Sequence, residues 1–320
     1  MQYRRLGRTN LEVSVIGFGA WGIGASQWLG ATDDESMRAL HKAVDLGVNF
    51  IDTALAYGDG HSEQLVGRLL RERSERIYVA TKIPPRNRIW PARGSLREVY
   101  PRNYINACVE ESLRNLRVES IDLIQLHVWN PQWTDQDEWY TTLKGLQEQG
   151  KVAYLGVSIS EHEPDGAVPL VESGKIDTVQ VIYNIFDQSP EDRLFPACRA
   201  NDVGVIARVP FDEGSLTGSI RPDTTFPPGD WRNEYFRGER KREVYERVQR
   251  LTGLLGSEVK TLPELALRFC LHHPAVSSVI PGMRKVEHVV ANAAVGDLPP
   301  LSPKLIEELR KHRWVRNFYA

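Results

Sequence analysis

Asp52, Tyr57, Lys82 and His127 are residue types that can move a proton or polarise a carbonyl, and each stands at or just past the end of a short apolar run. Phe50–Ile51 leads into Asp52, with Tyr57 one turn later. Ile77–Val79 leads through Ala80 and Thr81 into Lys82, and Leu123–Leu126 leads into His127. Successive parallel strands that deliver an acid, a phenol, an amine and an imidazole to one face make a reactive centre, because burying such groups without partners is costly. A phenol ordinarily ionises near pH ~10, and a neighbouring Lys82 ammonium favours its anion. A buried Lys82 needs a counterion, which Asp52 supplies. His127 can hydrogen-bond a carbonyl oxygen and fix its direction. None of the four is an obvious covalent nucleophile, and no second histidine or carboxylate completes a metal set. A hydride from a nicotinamide is what such a site lacks. Taken singly, the four read as a loop acid, a surface aromatic, a strand-end charge and a core histidine; only their joint placement carries the chemistry.

The elements that must position them alternate strand and helix. Tyr3–Leu6 and Glu12–Val15 flank a Gly7–Asn10 turn and predict an opening hairpin. Strands are expected at Val15–Phe18, Asn49–Thr53, Ile77–Ile83, Asp122–Val128, Val152–Ser158, Thr178–Tyr183, Gly204–Val209 and Ser277–Pro281. Between them fall helices near Thr32–Leu46, Glu63–Arg71, Arg102–Leu116, Gln136–Gln149, Asp165–Ser173 and Asp192–Asn201. Arg240–Leu255 and Pro263–His272 precede the last strand; Val286–Ala294 and Pro303–His312 close the chain. Thr32 and Glu35 form a capping box, and Gly47 supplies a stop. Eight strand-then-helix repeats with near-continuous Val/Ile/Leu strands predict an α/β fold, a (β/α)8 TIM barrel with an N-terminal β-hairpin. Pro84–Pro101 and Phe211–Glu239 are long insertions after strand ends, where barrel enzymes build their sites, and are expected to act as lids. No linker or composition shift divides the 320 residues, so 1–320 is expected to be a single domain.

Composition excludes several classes. With 40 Lys plus Arg against 42 Asp plus Glu the net charge is −2, which argues against a nucleic-acid binder or a polybasic membrane surface. No apolar stretch approaches the ~20 residues of a membrane span, and the opening residues lack the apolar core of a signal peptide. A cytoplasmic protein is expected, with Cys108, Cys198 and Cys270 as buried thiols rather than a disulfide or metal site. Gly17-Phe18-Gly19-Ala20-Trp21-Gly22 matches the G-x-G-x-x-G dinucleotide fingerprint in letters alone. The fingerprint requires a helix starting inside it and an acid about 20 residues on. Here a Gly-rich segment follows, helical periodicity begins only after Thr32, and Asp52 lies too far along. These glycines are instead expected to let backbone approach a ligand.

Over essentially its whole length the chain resembles the aldo-keto reductases. The resemblance is carried by Gly17-Phe18-Gly19-Ala20-Trp21, Asp52-Thr53-Ala54 with Tyr57, Ala80-Thr81-Lys82 and Leu123–His127. It continues through Gly156-Val157-Ser158, Val179-Gln180, Gly214–Gly218 and Ile280-Pro281-Gly282-Met283-Arg284. It implies a barrel that binds NADP(H) extended across its C-terminal face and reduces a small-molecule carbonyl substrate. Tyr57 is then the general acid, Lys82 and Asp52 set its pKa, and His127 orients the carbonyl. Ser158 and Gln180 hold the carboxamide, the Gly214–Gly218 loop covers the pyrophosphate, and Arg284 contacts the 2′-phosphate, a role that suits its planar fork. The resemblance further gives Gly19, Ala20, Trp21, Asp52, Arg208, Pro210, Phe211, Leu216, Gly282, His288 and Asn292 to the cofactor, and Trp21, Tyr57, His127 and Trp129 to the substrate.

The chain departs from the family pattern around the cofactor. Ile159 follows Ser158 where relatives carry Asn, and His288 and Ala291 replace Gln and Glu near the retained Asn292. Arg208 stands where an aromatic often stacks on the nicotinamide; its guanidinium can stack, but a cation disfavours the positively charged oxidised ring. Trp21, Trp90, Trp129, Trp133 and Trp231 lie at or after strand ends and suit an aromatic-lined pocket for apolar carbonyls, with Trp21 and Trp129 nearest the four reactive residues in sequence. A nicotinamide-binding regulatory subunit is the alternative role that the resemblance allows, and a Lys82 Schiff-base lyase or isomerase is open on fold grounds.

Overall fold

The computed structural model describes residues 1–25, 30–159 and 162–317. Strands β1 (Tyr3–Arg5) and β2 (Glu12–Ser14) form the antiparallel hairpin. Eight parallel strands follow in spatial order identical to chain order: β3 (Phe18–Gly19), β4 (Phe50–Asp52), β5 (Tyr78–Ile83), β6 (Ile121–Leu126), β7 (Val152–Ser158), β8 (Thr178–Ile182), β9 (Gly204–Arg208) and β10 (Val276–Val279). The sheet closes on itself through bridges Ile16↔Val279 and Gly19↔Gly282. Gly17 N–H donates to Val279 O at 2.8 Å and Gly19 N–H to Pro281 O at 3.0 Å across that seam. The expected barrel is therefore present. Its first strand is shorter than Val15–Phe18 predicts, since the glycines there make bridges rather than a full ladder.

Helices α1 (Asp33–Asp45), α2 (His61–Glu72), α3 (Leu96–Val99), α4 (Arg102–Leu116), α5 (Glu138–Glu148), α6 (Val168–Glu172), α7 (Leu194–Ala200), α8 (Arg232–Tyr235), α9 (Arg240–Thr252), α10 (Leu262–His272), α11 (Val286–Val295) and α12 (Pro303–Arg310) cover the outside or extend the loops. Local chemistry sets their ends. The Thr32 hydroxyl accepts the Glu35 N–H at the start of α1, whose first turn is acidic, and Gly47 beyond it is left-handed at φ 85°. Where one helix was expected over Asp165–Ser173, a 3-10 turn (Pro164–Ala167) runs into the short α6, because Pro164, Gly166 and Pro169 interrupt regular helical bonding. Among the described residues no helix is long and apolar enough to cross a membrane. All three cysteines are buried and free.

Strand periodicity divides the barrel into layers. Phe50, Ala80, Leu123, Ile206 and Ile280 pack inside the barrel with Leu6, Leu11 and Val13 of the hairpin, apart from the larger core between sheet and helices. The hairpin thus plugs the N-terminal end. Residues two further along each strand share the same face, so Asp52, Lys82, Gln125 and Arg208 stand above the apolar layer, toward the C-terminal end. The plug fits closely. A Cβ on Gly204 would lie 2.8 Å from the Leu6 carbonyl carbon and 2.9 Å from Gly7 N. Gly204→Ala should therefore cost about 1–3 kcal/mol by overpacking and lower Tm. Gly145→Ala, in α5 with nothing within 4 Å of the added methyl, should leave Tm unchanged or raise it slightly. Equal melting temperatures for Gly204→Ala and the unmodified protein would contradict this packing.

Candidate active site

The reactive groups gather at the C-terminal ends of β4, β5 and β6. Lys82 is fully buried and its Nζ donates to Asp52 Oδ1 at 2.6 Å, to Thr53 O at 2.7 Å and toward the Tyr57 hydroxyl at 3.4 Å. Asp52, 2% exposed, accepts from Gln180 Nε2 at 2.6 Å and from Gln125 Nε2 at 3.4 Å on its other oxygen. Thr53 is also held by its side chain, since Thr53 Oγ1 and Ser62 Oγ lie 2.8 Å apart and Ser62 Oγ donates to Ala20 O at 2.9 Å. Strands β4, β5, β6 and β8 are so tied around one ammonium.

Tyr57 enters on the turn after β4, held by its N–H to Ala54 O at 3.0 Å. Burial, reinforced by the Asp52 charge and opposed by Arg208, holds its phenol above the ordinary range. The expectation that Lys82 lowers this pKa does not describe the resting site, because burial outweighs it and Asp52, 2.6 Å from the ammonium, adds its own charge. Lys82 is itself pushed down by burial, with Asp52 opposing. His127, just past β6, stands edge-on to Tyr57 with ring centroids 5.7 Å apart. Burial first, then the Lys82 and Arg208 charges, hold it neutral well below the usual histidine range. Its Nδ1 is buried without a hydrogen-bond partner. The site is thus a proton-bearing phenol beside a neutral imidazole above a buried ion pair.

The aromatic wall differs from expectation. Trp90 packs edge-on against His127 at 4.6 Å, and Trp21 lies 6.5 Å from Tyr57 and 6.4 Å from Trp231. Each long insertion therefore brings a tryptophan to the site. Trp129, expected beside the substrate, is 5% exposed and wedged between Trp133 and Trp139 at 5.8 and 5.3 Å. Its indole and that of Trp133 belong to the core that carries the 84–101 insertion, where Trp133 Nε1 donates to Gly94 O at 3.3 Å. Nearness in sequence misled here because β6 ends at Leu126, so strand alternation no longer sets the side that Trp129 takes.

Protein contacts crowd Gly19 and Gly22 of the false fingerprint and Gly24 just beyond it. A Cβ on Gly19 would lie 2.7 Å from Ile280 O, one on Gly22 would lie 2.7 Å from Arg284 Cδ, and one on Gly24 would lie 2.8 Å from the Tyr57 carbonyl carbon. They close the barrel, seat Arg284 and press the Tyr57 turn into place.

The remaining predicted positions line the same end. Ser158 is buried at the end of β7 and Gln180 within β8. Arg208 ends β9, donates to Ile159 O at 2.7 Å and keeps a buried Nε without a partner. Pro210 is buried, Phe211 half-buried, and Leu216 fully buried in the 3-10 segment Asp212–Thr217. That segment is strained: Val209, Asp212 and Glu213 have φ of 55°, 47° and 55°, before Gly214 at 100° and Gly218 at 79°. A buried anchor holds it, with Tyr235 OH donating to Asp212 Oδ1 at 2.6 Å and Arg240 to Asp212 Oδ2 at 3.3 Å. Arg284 is half-buried, Asn292 buried, and His288 exposed beside Glu287. Sequence reasoning missed Gln125, Ser62 and Glu213. Burial lifts the Glu213 carboxyl to about 7 against the pull of Arg208. The only sign of Gln125 in the sequence is that it interrupts Leu123–Leu126 two residues before His127, which marks its face but not its partner.

Residues 15–313 match the model of the Aldo/keto reductase family. The chain is 31% identical over 290 residues to the aldo-keto reductase YhdN of Bacillus subtilis, covering 89% of this chain and 86% of that protein. It is 30% identical over 306 residues to the NADH-specific methylglyoxal reductase of Escherichia coli, covering 90% and 91%. A glycerol dehydrogenase structure from Gluconobacter oxydans superposes with a TM-score of 0.80 at 30% identity, covering 98% of this chain and 97% of that one. A layered barrel, a buried Lys–Asp pair under a phenol and an imidazole, and a match spanning most of the sequence agree: the chain belongs to the aldo/keto reductase family.

Proposed function

We propose that this protein reduces aldehydes or ketones to alcohols with NADPH, Tyr57 acting as general acid. The observation that carries the reading is the Lys82 ammonium, bonded to Asp52 at 2.6 Å and 3.4 Å from the Tyr57 hydroxyl. A phenol held above its ordinary pKa keeps its proton through neutral pH, and the adjacent ammonium stabilises the phenolate once that proton is given up. A neutral His127 can donate its ring N–H to the carbonyl oxygen without placing a second cation beside Lys82. Trp21, Trp90 and Trp231 around this pair favour an apolar or aromatic substrate.

The residues present fit a nicotinamide dinucleotide. Arg208 keeps a buried, unpartnered Nε, and Gly214 and Gly282 have nothing within 4 Å of where a Cβ would stand, so backbone there is open to close approach. Ser158 and Gln180 would hold the carboxamide; Gln180 gives one N–H to Asp52, which leaves its amide oxygen as an acceptor. The Gly214–Gly218 segment would cover the diphosphate, and Arg284 and Asn292 would hold the adenosine end. When bound, the cofactor supplies the hydride. NADPH rather than NADH rests on Arg284, whose guanidinium pairs well with phosphate oxygens.

Mixing the protein with NADPH and 4-nitrobenzaldehyde should consume NADPH, and Tyr57→Phe should lower turnover by roughly 10²–10⁴-fold. Unchanged turnover in Tyr57→Phe would sink the mechanism. Arg284→Ala should weaken NADPH binding by about tenfold or more while leaving NADH within about twofold, since only one of the two carries the phosphate. Equal losses for both would remove Arg284 from cofactor choice. The neutral His127 also marks stability. Its folded-state pKa is depressed below 6.5, so the unfolded chain binds more protons beneath that value, and stability is lost as pH falls through it. Tm should therefore drop more between pH 7 and pH 5 in the unmodified protein than in His127→Gln; identical pH slopes would contradict the assignment.

A further inference from the structure

We propose that Gln125 is a positioning residue of the carbonyl reduction argued above: its side-chain amide holds the Asp52 carboxylate turned so that Oδ1 meets Lys82. The inference rests on that functional reading. Gln125 lies on β6, fully buried, paired in register with Lys82 on one side and Gly156 on the other. Its Nε2 lies 3.4 Å from Asp52 Oδ2, the oxygen that Gln180 Nε2 contacts at 2.6 Å, while Lys82 Nζ takes Oδ1 at 2.6 Å. Asp52 is therefore gripped by two amides on one oxygen and an ammonium on the other, and the amides fix which oxygen faces which donor.

Two features separate this arrangement from ordinary packing. Gln125 Oε1 is buried without a hydrogen-bond partner, a loss in stability that Leu or Met at the same lumen position would avoid. The amide cannot turn to satisfy that oxygen, because turning sets a carbonyl oxygen against a carboxylate. Space for the side chain is built in from the neighbouring strand. A Cβ on Gly156 would come within 3.2 Å of Gln125 Cγ and 2.2 Å of Thr178 Oγ1. A glycine in the middle of a parallel strand weakens that strand, and here it makes room for Thr178 first and for the Gln125 stem beside it. The barrel thus accepts an orphan oxygen and a strand glycine around Gln125, and the N–H aimed at Asp52 is what the arrangement yields.

The consequence runs through Lys82. Asp52 holds the Lys82 proton on against burial, with Arg208 pulling the other way and Glu63 assisting; Tyr57 and His127 complete the titratable groups around the pair. A carboxylate free to swing holds that proton less firmly, so Lys82 loses it at lower pH.

The test uses Gln125→Met, which keeps volume and removes the N–H, and Gln125→Leu, which also removes it, if the first variant does not fold. With NADPH and 4-nitrobenzaldehyde, kcat should fall several-fold while the KM for aldehyde and the Kd for NADPH stay within about twofold, and the alkaline limb of the kcat profile should move to lower pH. In an Asp52→Asn background the same change should have no further effect on kcat, because the group it positions is gone. Additive losses in the double variant, or a parallel loss at every pH, would overturn the proposal. Titration of Lys82 by NMR in cofactor-free protein labelled at lysine Cε reads the same point without turnover. The midpoint should move down in the variant, and an unmoved midpoint would refute Gln125's role. Absence of turnover in the unmodified protein would refute the functional reading instead.

Discussion

One buried charge organises this barrel. Lys82 is wholly removed from water, and an ammonium there is tolerable only with a counterion in good geometry and its remaining protons satisfied. Asp52 at 2.6 Å and the Thr53 carbonyl at 2.7 Å meet that demand, and each has supports of its own. Gln180 and Gln125 take the other Asp52 oxygen; Ser62 braces Thr53 and the Ala20 carbonyl. The requirement spreads from one side chain to strands β3, β4, β5, β6 and β8. Beneath it the hairpin plug and the layer of Phe50, Ala80, Leu123 and Ile206 close the other end of the barrel. Two-residue periodicity does the rest, since a strand that buries an apolar side chain in the lower layer must present its next inward residue to the upper one.

The same periodicity explains what could be read from the chain. Eight apolar runs separated by helical patterns require a covered parallel sheet, and the joint occurrence of Asp52, Tyr57, Lys82 and His127 at strand ends locates the reactive face. Residues whose role depends on contacts across strands were not legible. Gln125 looks like one polar letter in an apolar run until its partner strands are in place. Trp90 and Trp129 are alike in composition, yet one packs on His127 and the other between Trp133 and Trp139. The glycines after β3 are explained by Ile280, Arg284 and Tyr57, all distant in sequence or beyond a loop. Even the expected direction of the Tyr57 shift failed, because a pairwise argument about phenol and ammonium omits burial, which pushes the phenol up most, and the Asp52 charge that adds to it.

The segment after β9 shows a second use of burial. Three non-glycine residues in the left-handed region persist there because Asp212 is fixed by Tyr235 and Arg240, and Arg240 in turn lies 5.0 Å from the ring of Trp314 near the C-terminal end. Trp314 is tied by its N–H to Phe186 O at 2.7 Å and faces Arg247 at 4.0 Å. Backbone strain at the mouth of the barrel is so held by contacts contributed from α8, α9 and the tail. The chemistry above the ion pair and the loop beside it draw on the same device, polar groups whose geometry is over-determined by buried partners.

The most direct test of this account is a single turnover by Lys82→Met, followed as NADPH oxidation with 4-nitrobenzaldehyde after NADPH binding and a native circular-dichroism spectrum have been established for the variant. Binding should be retained while the rate falls by roughly 10²–10⁴-fold, the range of positioned proton transfer. A rate within a few-fold of the unmodified protein would show that the buried ammonium is not what prepares Tyr57, and the account would fail at its centre.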